Sequence, residues 1–305
     1  MLYFIEQLLN GIQLGMLLFL LAAGLTLIFG IMDLVNLAHG SLYMLGAYFA
    51  ATFAEWSGSF VLGAVLALGA TLAVGMALEV VAIRRLYARD HLDHVLGTFG
   101  LLLFFNELVR LIWGPAGLTL SLPPEMLGAV QVLPGLYYPT YRLVIIGVTL
   151  VMALLLYVVV MRSRLGMLIR AGASNREMVG ALGINIKLLY TIVFGLGAAL
   201  AGFAGLMQAP ILTVQIGMGE NILIAAFVVV TIGGIGSIRG AFVAALIVGL
   251  VDTIGRTFVP DLLHQFVGDA AASSLGRSLS SMMIYLVMAL VLIVRPEGLF
   301  PAASR

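Results

Sequence analysis

The sequence predicts an all-α, polytopic integral membrane protein with eight or nine transmembrane helices, and three observations point there. Of its 305 residues, 62% are apolar, where a soluble chain has roughly 45–50%. Charged residues make up only 10%, and mean hydropathy is +1.16. Thirty-six glycines run through the apolar stretches, a usage that membrane helices favour. A soluble enzyme is excluded. The 15 basic and 14 acidic residues leave a formal charge of +1, so no broad positive field is available for nucleic acid. With no cysteine, disulfides, thiolate chemistry and cysteine metal sites are excluded too.

A spanning helix needs about 20 mostly apolar residues at 1.5 Å per residue. Gln7 to Met32, Trp56 to Leu78, Leu143 to Met161, Leu188 to Gly219, Asn221 to Ile238 and Ser278 to Val294 carry no charge and qualify outright. Leu34 to Ala54 is free of acids and bases apart from His39. Val95 to Trp113 is interrupted by Glu107 and Arg110, and Gly240 to Val259 is apolar mainly in its first half. These three complete a set of nine, or eight if the segments beside the polar breaks near residues 33–41 and 233–240 are half-helices. The opening stretch is read as a mature helix rather than a signal peptide, because it carries Glu6, lacks Lys and Arg, and has too long an apolar run.

Lys and Arg in short loops set orientation. Arg84, Arg85 and Arg89 mark one cytoplasmic loop; Arg162, Arg164, Arg170, Arg176 and Lys187 mark another, at 162–187. Gly114 to Tyr141 and Pro260 to Arg277 carry prolines and aromatic residues, with Arg277 as their only basic residue, and read as external. With Arg295 and Arg305 inside, nine crossings leave the N-terminus outside and the C-terminus in the cytoplasm. No linker divides the chain, so 1–305 is one transmembrane domain. Ile28 to Ala50 and Val228 to Leu250 echo each other weakly, an internal repeat of the kind transporters use or a coincidence of glycine and alanine.

The loop from Met161 to Leu188 is the most informative stretch. Met178, Val179 and Leu182 fall at helical spacing, which predicts a short amphipathic helix. Ser174 or Asn175 can cap it, Glu177 suits its positive end, and Gly183 supplies a left-handed stop. Such a helix either tethers two spans at the membrane surface or docks a soluble partner. The break at Asp33, Asn36, His39 and Gly40 has two readings: a solvated helix end at the membrane rim, or an intramembrane break lining a path. The same choice applies to Thr231, Gly233, Gly234, Gly236, Ser237 and Arg239, where Gly236 to Gly240 also has the spacing of a helix-contact motif.

The run Ile169-Arg-Ala-Gly-Ala-Ser-Asn-Arg-Glu-Met-Val-Gly-Ala-Leu-Gly-Ile-Asn185 resembles the cytoplasmic coupling segment of branched-chain amino-acid ABC transporter permeases. Further resemblance lies in Gly24 to Gly40, in Thr231-Ile-Gly-Gly-Ile-Gly-Ser-Ile-Arg-Gly240 and in Arg295-Pro-Glu-Gly-Leu-Phe300, and it extends over essentially the whole chain. The resemblance implies an ABC importer permease fold, the shorter of two permease types, in a bacterial inner membrane. It implies as partners a second homologous permease, two cytoplasmic ATPases and a periplasmic solute-binding protein, with a branched-chain amino acid as solute. Arg170, Ala171, Asn175, Arg176, Glu177, Leu182, Gly183, Ile184 and Asn185 would then meet the ATPase. Where the wider importer consensus opens Glu-Ala-Ala, this chain has Arg170-Ala171-Gly172, which leaves the contacts themselves open.

A phosphate-cradling loop G-x-x-x-x-G-K-[ST] needs a lysine after glycine, yet the single lysine, Lys187, follows Ile186. No cofactor is therefore expected in this chain, and ATP would be bound by the partners. Glu107 and Arg110, three apart, are placed to pair on one helix face. Asp90, His91, Asp93 and His94 read as a solvated loop rather than a metal cluster. Rival readings are the same transporter class working on urea, short amides or other amino acids, and an ion-coupled secondary transporter. The latter would need intramembrane titratable groups, for which Asp33, Glu79, Glu107 and Asp252 are the candidates, all read as near helix ends. No Ser, His and acid set supports an intramembrane enzyme.

Overall fold

The computed structural model describes residues 1–266 and 268–300; Arg305, used above for orientation, lies outside the described residues. Among the described residues eleven α-helices follow one another: α1 (Leu2–Met32), α2 (His39–Ser57), α3 (Phe60–Val81), α4 (His91–Trp113), α5 (Thr140–Arg162), α6 (Arg164–Ser174), α7 (Arg176–Ala181), α8 (Ile186–Gln208), α9 (Met218–Gly233), α10 (Ile238–Leu263) and α11 (Asp269–Val294). Seven of them are long and apolar enough to cross a bilayer: α1, α3 continued to Arg85, α4, α5, α8, α10 and the Ser274–Val294 part of α11. With the less apolar α2 and the shorter α9, the nine expected segments each have their helix.

Two expected boundaries shift. Trp56 and Ser57 close α2, Gly58 turns the chain at φ 65, and Ser59 starts α3 by accepting the Leu62 N–H at 3.4 Å. The uncharged run Leu188 to Gly219 divides after Gln208, because Pro210 lacks the N–H that would continue α8. The connection that follows pairs with the segment after α4 through Leu118 and Val214, each accepting the other's N–H at 2.9 Å. That segment also forms a hairpin which the sequence reading did not anticipate: β1 (Ala129–Leu133) and β2 (Leu136–Pro139), antiparallel, turning at Pro134 and Gly135, the latter at φ 84.

The centre is built from α1 and α8, whose apolar windows are 83% and 78% buried, while that of α11 is only 11% buried. Glycine sets these approaches. A Cβ on Gly15 would stand 2.8 Å from the Ala245 carbonyl, so α1 and α10 meet backbone to backbone, and α2 crosses α8 where Gly46 faces Gly202. Packing of small residues replaces the hydrophobic drive that lipid does not supply.

The connection between α1 and α2 turns back into the bundle. His39 Nε2 donates to the Leu21 carbonyl at 3.1 Å, and Leu21 lies about 16 Å back along α1 from Met32 at 1.5 Å per residue. Leu34, Asn36, Ala38 and His39 are fully buried. Thr98 of α4 accepts the Leu37 N–H at 3.1 Å and lies 3.4 Å from the Val35 carbonyl. Non-helical backbone at this depth is tolerable only inside protein. Asn36 and His39 thus occupy an internal break, whereas Asp33 is the C-terminal cap of α1.

Candidate functional site

Between α5 and α8 the chain forms two short helices joined at Asn175. Ser163 starts α6 by accepting the Gly166 N–H at 3.0 Å. Asn175, extended at φ −153 and ψ 95, ends α6 and caps α7 by accepting the Met178 N–H at 2.9 Å, an Asn preference that competes with helix continuation. Glu177 sits in the first turn of α7, where the helix dipole favours a carboxylate. Gly183, at φ 84, stops it, and Asn185 caps α8 through the Leu188 N–H at 3.1 Å.

The start and stop signals act as read and delimit α7, whereas Arg170 and Ala171 belong to α6, a separate helix before it. The apolar face also divides. Val179 is 4% exposed and packs inward, whereas Met178 and Leu182 are 59% and 73% exposed. Arg176, Glu177, Gly183 and Asn185 share that outer surface, with Ile184 half-buried. Arg170 reaches back to donate to the Val160 carbonyl, holding α6 to the end of α5.

Beside α6 lies a cavity of about 980 Å³. Its walls are the ends of α1 and α5, α6, the break between α9 and α10, and Pro296–Glu297. Of the residues singled out from sequence, Asp33, Arg170, Ser174, Thr231, Gly236, Ser237 and Arg239 line it, joined by Thr26 and Glu297. The two breaks adjoin here: a Cβ on Gly30 would lie 3.5 Å from the Gly236 Cα. Asp33 is the one non-glycine residue with a left-handed backbone among those described, at φ 52 and ψ 39, a conformation that a short polar side chain eases. Ser237 caps α10 by accepting the Gly240 N–H at 3.1 Å. The cavity is therefore bounded by the negative end of α1 with Asp33 and by the positive end of α10 with Arg239.

Other candidates stand apart. Asn36, His39 and Gly40 are buried in the bundle, Gly40 against Gly219. The close glycine contact at the second break is Gly233 on Gly240, not Gly236 on Gly240. Gly234, at φ 98, receives the C-terminal segment: Leu299 donates to the Ile232 carbonyl at 2.8 Å and Phe300 to that of Gly233 at 3.1 Å. The motifs Thr231 to Gly240 and Arg295 to Phe300 thus form one unit, and it is this unit that brings Glu297 to the cavity. Sequence reading missed Glu297, although a carboxylate between Pro296 and Gly298 was a signal. Asp252 is not at a helix end but midway along α10, paired with Arg256 at 2.8 Å. Glu107 and Arg110 pair at 3.1 Å on the surface of α4. His94 is not in a solvated loop: it lies in α4, buried, with Nε2 2.9 Å from the Leu86 carbonyl.

Comparison with known proteins gives this arrangement a family. The family model described as "Branched-chain amino acid transport system / permease component" matches residues 7–292. The high-affinity branched-chain amino acid transport system permease protein BraD of Pseudomonas aeruginosa is 29% identical over 97% of this chain and 95% of its own. LivH of Escherichia coli, described in the same words, is 28% identical over 98% and 96%. A probable branched-chain amino acid transport permease protein of Methanocaldococcus jannaschii is 26% identical over 78% and 76%. No solved structure matches the chain. A family match from the first apolar helix to the last, on a bundle of the expected helices, makes this multi-pass membrane protein a member of the branched-chain amino acid transport permease family.

Proposed function

We propose that the chain is one of two membrane subunits of an ATP-driven importer for branched-chain amino acids and forms half of the translocation path. The observation that carries this reading is α7, a six-residue helix with a dedicated cap and stop that presents Met178 and Leu182 to solvent. An exposed apolar pair on a defined helix suits a groove in a soluble partner. That partner is a pair of cytoplasmic ATPases, which bind the ATP that this chain has no loop to hold. Arg170 and Ser174 of the adjoining α6 line the cavity, so movement of this segment is felt where solute passes. The cavity is the inner end of the half-path, completed by a second, homologous permease, and a periplasmic binding protein delivers solute to the opposite face. A zwitterionic, apolar amino acid suits walls that offer Asp33 at one helix end and Arg239 at another, with Leu27 and Ile31 in the same lining. ATP binding then shifts the population of inward and outward states.

Reversing the surface of α7 tests the reading. Tagged wild-type chain should retain the ATPases through detergent purification, and Glu177→Lys or Leu182→Asp should lose them while the permease pair stays assembled. Retention in both variants would sink the docking role of α7, and solute uptake by this chain alone under an ion gradient would replace the importer reading altogether.

A further inference from the structure

Glu79, in the last turn of α3, has no exposed surface, and a buried carboxylate must be paired and hydrogen-bonded to persist. Its partners come from three parts of the chain. Arg84, on the single 3-10 turn after α3 and itself 30% exposed, donates to the two carboxylate oxygens through Nε at 3.1 Å and Nη2 at 2.8 Å. The Thr191 hydroxyl, in the second turn of α8, lies 2.7 Å from Glu79 Oε2 and accepts from Arg84 Nη2 at 2.7 Å. Tyr87 donates to Oε1 at 2.9 Å. Burial, and after it the Glu79 carboxylate, push the Tyr87 phenol far above its ordinary range, so it remains a donor.

The cluster also reaches the end of α1. The Tyr87 oxygen is 3.6 Å from Met32 Sδ, its ring stands edge-on to Tyr190 at 5.1 Å, and Tyr190 donates to the Ile31 carbonyl at 3.5 Å. Ile31 and Asp33 are cavity wall. Thr191 and Tyr190 follow Asn185, the cap through which the chain leaving α7 enters α8. One contiguous set of directional contacts therefore joins the exit of α7 to the wall of the cavity. A brace alone would not require this chemistry, since well-packed apolar residues often replace a buried ion pair without loss of stability.

We infer that Glu79 is a positioning residue for transport: its carboxylate locks the first turns of α8 to the end of α1, so that displacement of α7 is delivered to the cavity. This rests on α7 being the ATPase contact. The test uses the assembled transporter in proteoliposomes, with leucine uptake and ATP hydrolysis measured on the same preparation. Glu79→Gln keeps the shape and removes the charge; leucine moved per ATP should fall at least about fivefold, the lower end of typical coupling between linked sites, while hydrolysis continues. Glu79→Asp should recover part of the ratio. Thr191→Val and Tyr87→Phe, each removing one hydroxyl at Glu79, should lower it less, and either combined with Glu79→Gln should add little further. An unchanged ratio in assembled Glu79→Gln transporter, even at a lower melting temperature, reduces the cluster to a brace and overturns the inference. Should Glu79→Gln not assemble, the two hydroxyl variants decide, and an unchanged ratio in both overturns it. A wild-type complex that takes up no leucine with ATP would instead bring down the importer reading itself.

Discussion

Asp33 shows how one residue joins two constraints. Its backbone sits at φ 52, where α1 stops and the chain turns back into the bundle, and the residue is part of the cavity wall. Left-handed backbone costs an ordinary L residue roughly 1–2 kcal/mol, less for Asp and Asn, and is worst for β-branched residues. Two substitutions separate conformation from charge. Asp33→Asn should leave the thermal midpoint of the purified transporter nearly unchanged, within about 0.5 kcal/mol, yet reduce uptake if the carboxylate meets solute. Asp33→Val should lower the midpoint by the equivalent of about 1–2 kcal/mol. Equal midpoints for the two variants would mean that the turn is set elsewhere.

At the scale of elements, the end of α9 depends on a segment distant in sequence. Its last carbonyls, on Ile232 and Gly233, accept from Leu299 and Phe300, and Gly234 lets the strap lie close, since a Cβ there would stand 2.8 Å from the Phe300 carbonyl at a backbone φ of 98. Gly234→Ala should therefore expose the peptide bonds at Gly298 and Leu299, now held against the end of α9, to limited proteolysis and lower the melting midpoint by the equivalent of at least about 1 kcal/mol; protease resistance equal to wild type would show that this C-terminal segment is held by other contacts. This pairing also marks what was legible in advance. Spans were readable because the length needed to cross hydrocarbon is fixed, and α7 was readable because Asn175, Glu177 and Gly183 are local signals. The meeting of Thr231–Gly240 with Arg295–Phe300 was not, since backbone-to-backbone contact leaves no side-chain pattern. Glu79 was visible only as a charge near a helix end; its importance lies in Thr191 and Tyr87, which no periodicity links to it.

For the whole molecule, the two ends of the bundle differ in chemistry. One carries α6, α7, the cavity mouth and the arginines at 84, 85 and 89; the other carries the β1–β2 hairpin and the Leu118–Val214 pairing. In the proposed function the first end, with its excess of arginine, faces the cytoplasm, and the proposed mechanism depends on that orientation because ATP is available on that side alone. The absence of cysteine makes the question direct. A single thiol introduced by Ala181→Cys in α7, and another by Gln131→Cys in β1, are both at exposed positions. In intact cells a membrane-impermeant maleimide should label Gln131→Cys and spare Ala181→Cys, and lysis should make the second reactive. Labelling of Ala181→Cys from outside would put α7 beyond the reach of any ATPase and dismantle the transport cycle from its first step.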